Sequence, residues 1–377
     1  MTRKNHVVSV RLGVIGSGFG ADFYFHLHPN CEVVAVASKM GAERKKLQNI
    51  YKCKTAYDDI SALLKDEAVD AVAIFTPVPD HAAHIIASMK HGKHVLCAVP
   101  VGLSIEECYD VKLAVNQAQK VFMMAETTYY RQDTITARKF FQNKAFGKLM
   151  KVDASYHHPG LEEYFFDAEK QATWRHGLAP MLYSTHCTAF LLGVSTDVIR
   201  SVSCVGWDHD NKILENNRYK NRYWNQSALF DTNNGAIFNL EVNWRGAFSP
   251  TERCSWFGEK MSYLGPDSIT SKSYLIHSTS KLGNDDAGFL NYQPKIEEFV
   301  QPNWWETNFL PEELQFESGH FGSHTFITHE FIDSIINGRK PSIDIELAIN
   351  MTLPGIIANE SAKRGGERLN IPQFHNL

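Results

Sequence analysis

Short apolar runs alternate with amphipathic stretches through the first part of the chain. A strand buried on both faces appears as a near-continuous apolar run, and strands alternating with helices are typical of a parallel sheet covered on both sides. The runs predict strands at Arg11–Ile15, Glu32–Ala37, Ala71–Phe75, His94–Cys97 and Val121–Ala125. Helices are predicted at Glu43–Tyr51, at Ile60–Leu64 with Asp58 or Asp59 as the N-cap, and at Ile105–Gln119. The pattern therefore predicts a doubly wound α/β domain that ends near residue 130.

The pattern changes after this point. Residues 151–157 alternate between apolar and polar, and Asn233-Asn234-Gly235 separates two alternating runs within residues 225–243, which indicates a β-hairpin. Helices are predicted at Phe326–Ile336 and Ala348–Lys363. We therefore predict two domains, residues 1–130 and residues 131–377. The second is expected to be α+β with a mainly antiparallel open sheet, and its C-terminal helix is expected to pack back on the first.

Composition narrows the function classes. The chain of 377 residues carries a net charge of −4 without a basic run, so nucleic acid is not an expected partner. No apolar segment is long enough for a signal core or a membrane span, and we expect a cytoplasmic protein with no membrane partner. The seven cysteines are widely spaced and contain no C-x-x-C pair, which argues against both a disulfide framework and a thiolate zinc site.

A glycine-rich loop, Gly16-Ser17-Gly18-Phe19-Gly20-Ala21, directly follows the first predicted strand. Gly16 permits a tight turn, Gly18 lets a phosphate approach the backbone, and Ala21 allows close packing of a following helix. Backbone N–H groups and the N-terminus of that helix would then face a pyrophosphate. The loop predicts a Rossmann domain that binds a nicotinamide dinucleotide, and the alternative is a plain tight turn.

The end of the second predicted strand leaves the cofactor's phosphate open. NAD-selective proteins typically place Asp or Glu there, against the ribose hydroxyls. This chain has Ser38 and Lys39 instead, with Arg44 nearby, which would suit a 2′-phosphate. A solvated Lys39 is the alternative, so NAD and NADP both stand as candidates.

Several stretches together resemble the Gfo/Idh/MocA oxidoreductases, the family of glucose-fructose oxidoreductase and inositol dehydrogenase. They are Arg11–Gly18, Ala73–His81, His91–Pro100 and Gly322–Ala362. The resemblance implies a Rossmann domain followed by an antiparallel-sheet domain that carries the substrate site. It also implies chemistry on sugars, glycosides or cyclitols with a bound nicotinamide, and a homo-oligomer, dimer or tetramer, formed through the open sheet.

The resemblance assigns roles near the cofactor. Thr76, Pro77 and His81 match the family's T-P-x-x-x-H segment, which lines the nicotinamide half, and a helix cap is the alternative for His81 alone. The family's E-K-P is replaced by Ala98-Val99-Pro100, which leaves Ala98 beside the cofactor and Val99 beside the substrate. Val99 cannot take a proton, so another residue must accept the hydroxyl proton of the substrate.

His186 is the leading candidate for that proton acceptor. The family's D-x-G-x-H helix aligns with Leu182-Tyr183-Ser184-Thr185-His186, which keeps only the histidine. An imidazole exchanges protons near neutral pH. A core histidine on an apolar helix is the alternative. Tyr183 and Tyr130 are further candidates for proton transfer.

Other polar and aromatic residues are candidates for ligand contact. Glu126 follows the fifth predicted strand and is expected near the cofactor, and the alternatives are a proton donor, an acceptor of a substrate hydroxyl and a member of an ion pair. The candidates for substrate contact are Tyr129, Arg131, His157, Trp174, Arg175 and His324, and packing or surface positions are the alternatives. His320 and His324 have metal-ligand spacing, but Gly322 weakens a helix there and no acidic third ligand follows, so no metal is predicted.

Three functions are consistent with these residues. The first is an NAD(P)-dependent dehydrogenase acting on a ring carbon of a sugar, glycoside or cyclitol. The second is an NAD-dependent glycosidase that oxidises a ring carbon, eliminates the glycosidic oxygen, adds water and returns the hydride. The glycosidase branch of the family also lacks the usual lysine, and its Y-x-T-H segment is similar to Tyr183–His186. The third is a non-catalytic cofactor-binding protein.

Overall fold

The structure, a computed structural model, describes residues 9–209, 212–249, 251–267, 269–278, 283–284, 290–291 and 294–374. The first residues, on which the expectation about a leader depends, lie outside these ranges. The chain divides into two compact units. Unit 1 comprises Met1–Arg131 and Asn303–Leu353, and unit 2 comprises Gln132–Pro302 and Pro354–Leu377.

Unit 1 contains a parallel sheet, as predicted. Its strands are β1 (Val10–Ile15), β2 (Cys31–Ala37), β3 (Thr55–Tyr57), β4 (Ala71–Ile74), β5 (His94–Cys97) and β6 (Phe122–Met124). Its first helices are α1 (Gly41–Tyr51), α2 (Ile60–Leu64), α3 (His81–Lys90) and α4 (Ile105–Ala118). Within the described residues the strand order is β3-β2-β1-β4-β5-β6, which is the Rossmann order. The Asp59 carboxylate accepts a hydrogen bond from the Ser61 N–H at 3.0 Å and caps α2.

The segment between β1 and β2 differs from the prediction of a helix after the glycine loop. It contains only short 3-10 turns, at Phe19–Ala21 and Phe25–Leu27. Tyr24 adopts a left-handed conformation, with φ of 57°, and Pro29 favours the extended conformation seen at His28. These positions interrupt the helical backbone, so the prediction of a helix N-terminus at the loop was wrong.

Unit 2 contains a mainly antiparallel sheet, as predicted. Its strands are β7 (Leu149–His157), β8 (Ile199–Trp207), β9 (Asn225–Thr232), β10 (Ile237–Asn243), β11 (Thr251–Gly258), β12 (Met261–Leu264), β13 (Ser273–His277), β14 (Gly283–Asn284), β15 (Leu290–Asn291), β16 (Lys295–Phe299) and β17 (Leu369–Asn370). Among the described residues the large sheet runs β16-β13-β12-β11-β7-β10-β9-β8-β17, and β14 pairs with β15 separately. Only the β7–β10 pair is parallel in the described part of this sheet. The predicted hairpin is β9–β10, and Gly235 takes the positive φ of 80° that its turn requires.

Helices cover one face of this sheet. Unit 2 contributes α5 (Gln132–Gln142) and α6 (Thr185–Leu192), and every residue of α6 is buried. The Trp256 indole of β11 donates to the Phe190 carbonyl of α6 at 2.9 Å, which fixes α6 on the sheet. The opposite face is open and exposes apolar side chains from β8, β9 and β10, namely Val205, Trp207, Leu229 and Ile237.

The last long helices are α7 (Gly319–Ile336) and α8 (Ile345–Lys363). Residues 303–353, which the sequence pattern assigned to the second domain, cluster with unit 1. The Met124 N–H of β6 donates to the Ile343 carbonyl at 3.1 Å, and buried Lys112 of α4 pairs with Glu346 at 3.0 Å. Because such contacts join residues far apart in the sequence, no local sequence pattern predicts them. Among the described residues, no helix is both long and apolar enough to cross a bilayer.

Candidate active site

The glycine loop after β1 has the shape that a dinucleotide needs. Gly16 has a φ of +92°, and a Cβ there would lie 2.4 Å from the Phe75 carbonyl oxygen. A Cβ on Gly20 would lie 2.7 Å from the Phe75 ring, whereas one on Gly18 would meet no atom within 4 Å. Ser17 and Ala21 are buried. The loop is therefore packed tightly against β4 on one side and open at Gly18, where a phosphate would approach the backbone.

The carboxyl ends of the parallel strands bring most of the predicted cofactor residues to one edge of unit 1. The Gly16 N–H donates to the Ala37 carbonyl at 3.0 Å, the Ala98 N–H to the Ile74 carbonyl at 2.9 Å, and the Ala125 N–H to the Cys97 carbonyl at 2.8 Å. This edge carries the glycine loop together with Ser38, Lys39, Thr76, Pro77, Ala98, Val99 and Glu126. In Rossmann folds this edge binds the ligand.

His81 is fully buried at the start of α3 and connects two strand ends. Its Nδ1 lies 2.7 Å from the Pro100 carbonyl oxygen and its Nε2 lies 2.9 Å from the Thr76 carbonyl oxygen. Burial lowers the pKa of His81, although both carbonyls favour the protonated form. The imidazole thus holds the segments after β4 and β5 together.

A carboxylate from helix α1 lies at the end of β2. The Ser38 hydroxyl donates to the Glu43 carboxylate at 2.5 Å. The Arg44 guanidinium turns back and donates to the carbonyls of Ser38 and Lys39, at 2.6 and 3.1 Å. Glu43 on α1 therefore reaches the position where NAD-selective proteins hold an acidic side chain.

The positions after β5 and β6 contrast in polarity. Val99 is buried, with 6% of its surface exposed, and offers only an apolar side chain. Glu126 is fully buried, and its carboxylate accepts a hydrogen bond from the Thr128 N–H at 2.9 Å. Tyr130 lies in the following turn, where its ring stacks on Phe326 of α7 and meets Tyr129 edge-on.

His324 packs against the glycine loop in unit 1. Its ring stacks on Phe23 at 4.5 Å and meets Phe19 edge-on at 5.2 Å. Its Nδ1 donates to the Asp22 carbonyl at 2.8 Å, so its Nε2 accepts from Nδ1 of His320, also at 2.8 Å. Burial lowers the pKa of His324 to about 4. Among the described residues, no three His, Cys, Asp or Glu side chains lie close enough to hold a metal ion.

The residues before His324 are strained. His320 and Phe321 have φ of 50° and 56°, and Gly322 continues the left-handed conformation. Each non-glycine residue in this region costs about 1–2 kcal/mol. Phe321 is 62% exposed, and its ring lies 4.1 Å from the guanidinium carbon of buried Arg131. The sequence singled out His320 for its spacing and Arg131 for its position, but it gave no sign of this contact.

Unit 2 contains a separate cluster of aromatic and histidine side chains. His186 lies in the first turn of α6, with 6% of its surface exposed. The rings of Tyr156 and Tyr183 lie 5.1 and 5.4 Å from its ring. Trp244 is buried below Tyr156 at 5.6 Å, and its indole donates to the Leu178 carbonyl at 2.9 Å. The structure therefore places the rings of His186 and Tyr183 side by side.

The cluster continues to a cationic side. The Arg175 guanidinium stacks over Trp174 at 4.1 Å and lies 5.8 Å from the exposed ring of Tyr164. The half-buried His158 ring lies 6.1 Å from Tyr156. Burial lowers the pKa of His158, and Arg175 lowers it further. Trp174 and Arg175 thus lie beside the histidine cluster that contains His186.

His157 points away from this cluster. Successive residues of a strand face opposite sides of the sheet, so His157 of β7 faces the open side while Tyr156 faces α6. His157 Nε2 lies 3.7 Å from the Glu241 carboxylate, and its ring packs against Phe248. The sequence pattern singled out His157 but gave no sign of Tyr156 or Trp244, although strand alternation shows that residues 156 and 158 share a face.

Comparisons with known proteins identify the chain. A family profile described as an oxidoreductase family with an NAD-binding Rossmann fold matches residues 10–126. A Glycosyl hydrolase family 109 protein of Shewanella baltica (strain OS155 / ATCC BAA-1091) is 30% identical over 346 residues, 83% of this chain and 71% of that protein. Another, of Solibacter usitatus (strain Ellin6076), is 24% identical over 97% of this chain and 88% of that protein.

The chain belongs to the Gfo/Idh/MocA oxidoreductase family. It is an oxidoreductase whose unit 1 is the NAD-binding Rossmann fold of that family. A solved levoglucosan dehydrogenase in complex with NADH has the same fold, with a TM-score of 0.77 and 17% identity over 97% of this chain and 100% of that chain. The prediction of fold and family from sequence is therefore confirmed.

Proposed function

We propose that this oxidoreductase removes a hydride from a ring carbon of a sugar, glycoside or cyclitol, with His186 as the acceptor of the hydroxyl proton. The observation that carries the proposal is the buried His186 ringed by Tyr156 and Tyr183, in a chain whose Val99 cannot transfer a proton. The bound nicotinamide supplies hydride acceptance. A neutral imidazole accepts a proton near neutral pH and becomes an imidazolium cation.

The surrounding side chains suit a carbohydrate. The exposed ring of Tyr164 and the stacked Trp174–Arg175 pair offer flat apolar surfaces and hydrogen-bond donors. We assign to Arg175 and Trp174 the contact with the sugar ring, and to Tyr183 a hydrogen bond to its hydroxyls. We assign to His81 a positional role, because both of its nitrogens face protein carbonyls.

A second candidate function is hydrolysis of a glycosidic bond through transient oxidation. The relatives named glycosyl hydrolase family 109 proteins favour it. Elimination needs a base for the proton next to the transient ketone and an acid for the leaving oxygen. His186 and Tyr183, whose rings lie 5.4 Å apart, are the pair we assign to these roles. Tyr130 is the alternative acid.

One assay distinguishes these functions. The protein is incubated with sugars, myo-inositol and aryl glycosides, with and without NAD or NADP, while reduced cofactor and released aglycone are followed. Net cofactor reduction supports the dehydrogenase, and aglycone release without net reduction supports the glycosidase. His186→Ala is expected to lower either activity by about 100-fold or more. His277→Ala, at a histidine of β13 outside the cluster, serves as the control. Activity of His186→Ala within a fewfold of wild type would exclude His186 as the base.

We infer that NAD is preferred over NADP. The Glu43 carboxylate beside Ser38 would accept hydrogen bonds from ribose hydroxyls and repel a 2′-phosphate. Lys39 is the opposing charge nearby, while Arg44 is already bound to backbone carbonyls.

We also propose a homo-oligomer formed through the open face of the unit 2 sheet. Val205 and Leu229 are 55% and 52% exposed, and Trp207 and Ile237 extend the same face. Exposed apolar patches of this kind mark interaction surfaces. Light scattering of wild type and of a Val205→Asp, Leu229→Asp double variant tests the proposal. A monomeric wild type would contradict it.

A further inference from the structure

Glu252 lies on β11, which pairs with β7, the strand that carries Tyr156 of the His186 cluster. In the antiparallel β7–β11 ladder, Glu252 is directly opposite Tyr156. Directly opposed residues share one face of the sheet, with Cβ atoms about 4.5–5.5 Å apart. The Tyr156 ring in turn lies 5.1 Å from the His186 ring. The register therefore brings the Glu252 side chain to the face that carries the histidine cluster.

The charged groups that shift the pKa of His158 independently support the position of Glu252 beside the histidine cluster. Burial is the main cause of its lowered pKa, Arg175 and His186 lower it further, and Glu252 raises it. One imidazole thus senses a carboxylate, a guanidinium and a second imidazole. Tyr156, Tyr164 and Tyr183 are further titratable groups of this cluster.

The proposed proton transfer creates a need for a carboxylate. When His186 accepts a proton it becomes a cation at a buried position, in a cluster whose His158 also feels the permanent charge of Arg175. A cation in that setting is costly unless an anion is close. Helix α6 contains no acidic residue, and Leu182, which precedes His186 by one helical turn, is apolar. The anion must therefore come from another element.

We propose that Glu252 is the positioning residue of this site, orienting the His158–His186 pair and stabilising the imidazolium that forms on His186. The proposal rests on the proposed function, which makes His186 the proton acceptor. Glu252 touches neither substrate nor cofactor in this role. It acts on the histidines, as a carboxylate does when it raises the basicity of an imidazole and favours one orientation of the ring.

The sheet offers a matched control on its other face. β10 is the other neighbour of β7 in the sheet, and its Glu241 pairs with His157 on the open face. Glu241→Gln therefore removes a carboxylate from a histidine of the same sheet without touching the His186 cluster. Glu252→Asp keeps the charge and shortens the side chain.

Nuclear magnetic resonance titration of the histidine ring carbons in the whole protein is the direct test. His158→Gln and His186→Gln assign the two signals. Glu252→Gln is expected to lower the pKa of both rings by about one pH unit, Glu252→Asp to restore most of it, and Glu241→Gln to leave both unchanged. Arg175→Gln, which removes the opposing charge, is expected to raise both values. Histidine pKa values that stay the same in Glu252→Gln would overturn the proposal.

Kinetics on a substrate found by the panel completes the test. Because the base must be neutral, the activity rises with pH through its pKa, so Glu252→Gln is expected to move this limb to lower pH. Its kcat is expected to fall about tenfold or more, with KM within twofold of wild type. If no substrate is turned over but the pKa values move, the proposed function fails and the Glu252 coupling stands. If His186-dependent turnover is found and the pKa values do not move, the function stands and the Glu252 proposal fails.

Discussion

The loop after β1 tolerates an added side chain at some of its glycines and not at others. Gly16 has a φ of +92° and a backbone oxygen 2.4 Å from any added Cβ, so Gly16→Ala is expected to disturb folding itself. Gly18 has a φ of −60° and open space around its Cβ. Gly18→Ala is expected to keep the wild-type melting temperature and to weaken NAD binding about tenfold or more, because the methyl group occupies the phosphate position. Calorimetric titration with NAD, beside thermal melts, measures both. Unchanged affinity in Gly18→Ala would place the dinucleotide elsewhere.

We expect the Glu43 carboxylate to govern the choice between NAD and NADP. Glu43→Gln removes a negative charge beside Ser38, whereas Lys39 keeps its positive charge. The ratio of the NADP to the NAD dissociation constant is expected to fall about tenfold. Glu32→Gln, at an acidic residue at the other end of β2, is the matched control. An unaltered ratio in Glu43→Gln would mean that the carboxylate does not face the ribose.

Residue type alone led us to propose His186 and Tyr183 as the proton-transfer residues, because Val99 cannot accept a proton. Residue type alone could not identify Tyr156 and Glu252 as neighbours of His186. Their relation to His186 depends on the pairing of β7 with β11, which joins positions far apart in the chain. Glu43 was missed for a local reason, since it lies on α1 and reaches Ser38 only through its side chain.

At the scale of elements, apolar runs were enough to predict the main strands of unit 1. The short edge strand β3 was missed, because three residues give too little pattern. The prediction of a helix after the glycine loop was wrong for a different reason. A glycine motif predicts a turn, but the conformation of the next segment depends on residues such as Tyr24, which is left-handed, and Pro29. Without that helix, we expect the N–H groups of the loop itself to bind a phosphate.

His81 gives an element-scale prediction, because it joins the segments after β4 and β5. His81→Ala removes the imidazole that lies within hydrogen-bond distance of the Pro100 and Thr76 carbonyls, and it opens a cavity in a fully buried position. The free energy of unfolding is expected to fall by about 2–4 kcal/mol. NAD affinity is expected to fall with it, because the edge that binds the cofactor loses its tie. Urea unfolding measures the first effect, and exposed His91→Ala is the control. A loss below about 1 kcal/mol would argue against this tie.

At the scale of the whole molecule, buried histidines make stability depend on pH. Burial lowers the pKa of His28, His94 and His324 to about 4, from an ordinary value of 6.5. Between these values the unfolded chain binds protons that the folded chain excludes, so stability is expected to fall as pH falls from about 6.5 to 4.

Each such histidine contributes roughly 1.4 kcal/mol per pH unit in that window. His28 shows the reason at the atomic level. Its Nδ1 accepts from the Asn30 N–H at 3.1 Å, so its Nε2 donates to His329, also at 3.1 Å. A proton on Nδ1 would break the first bond. His28→Gln is therefore expected to reduce the slope of unfolding free energy against pH by about 1.4 kcal/mol per pH unit, which corresponds to one proton. Exposed His91→Gln serves as the control. Urea unfolding at pH 5, 6 and 7 measures the slope, and equal slopes in wild type and His28→Gln would show that His28 is not the group that titrates.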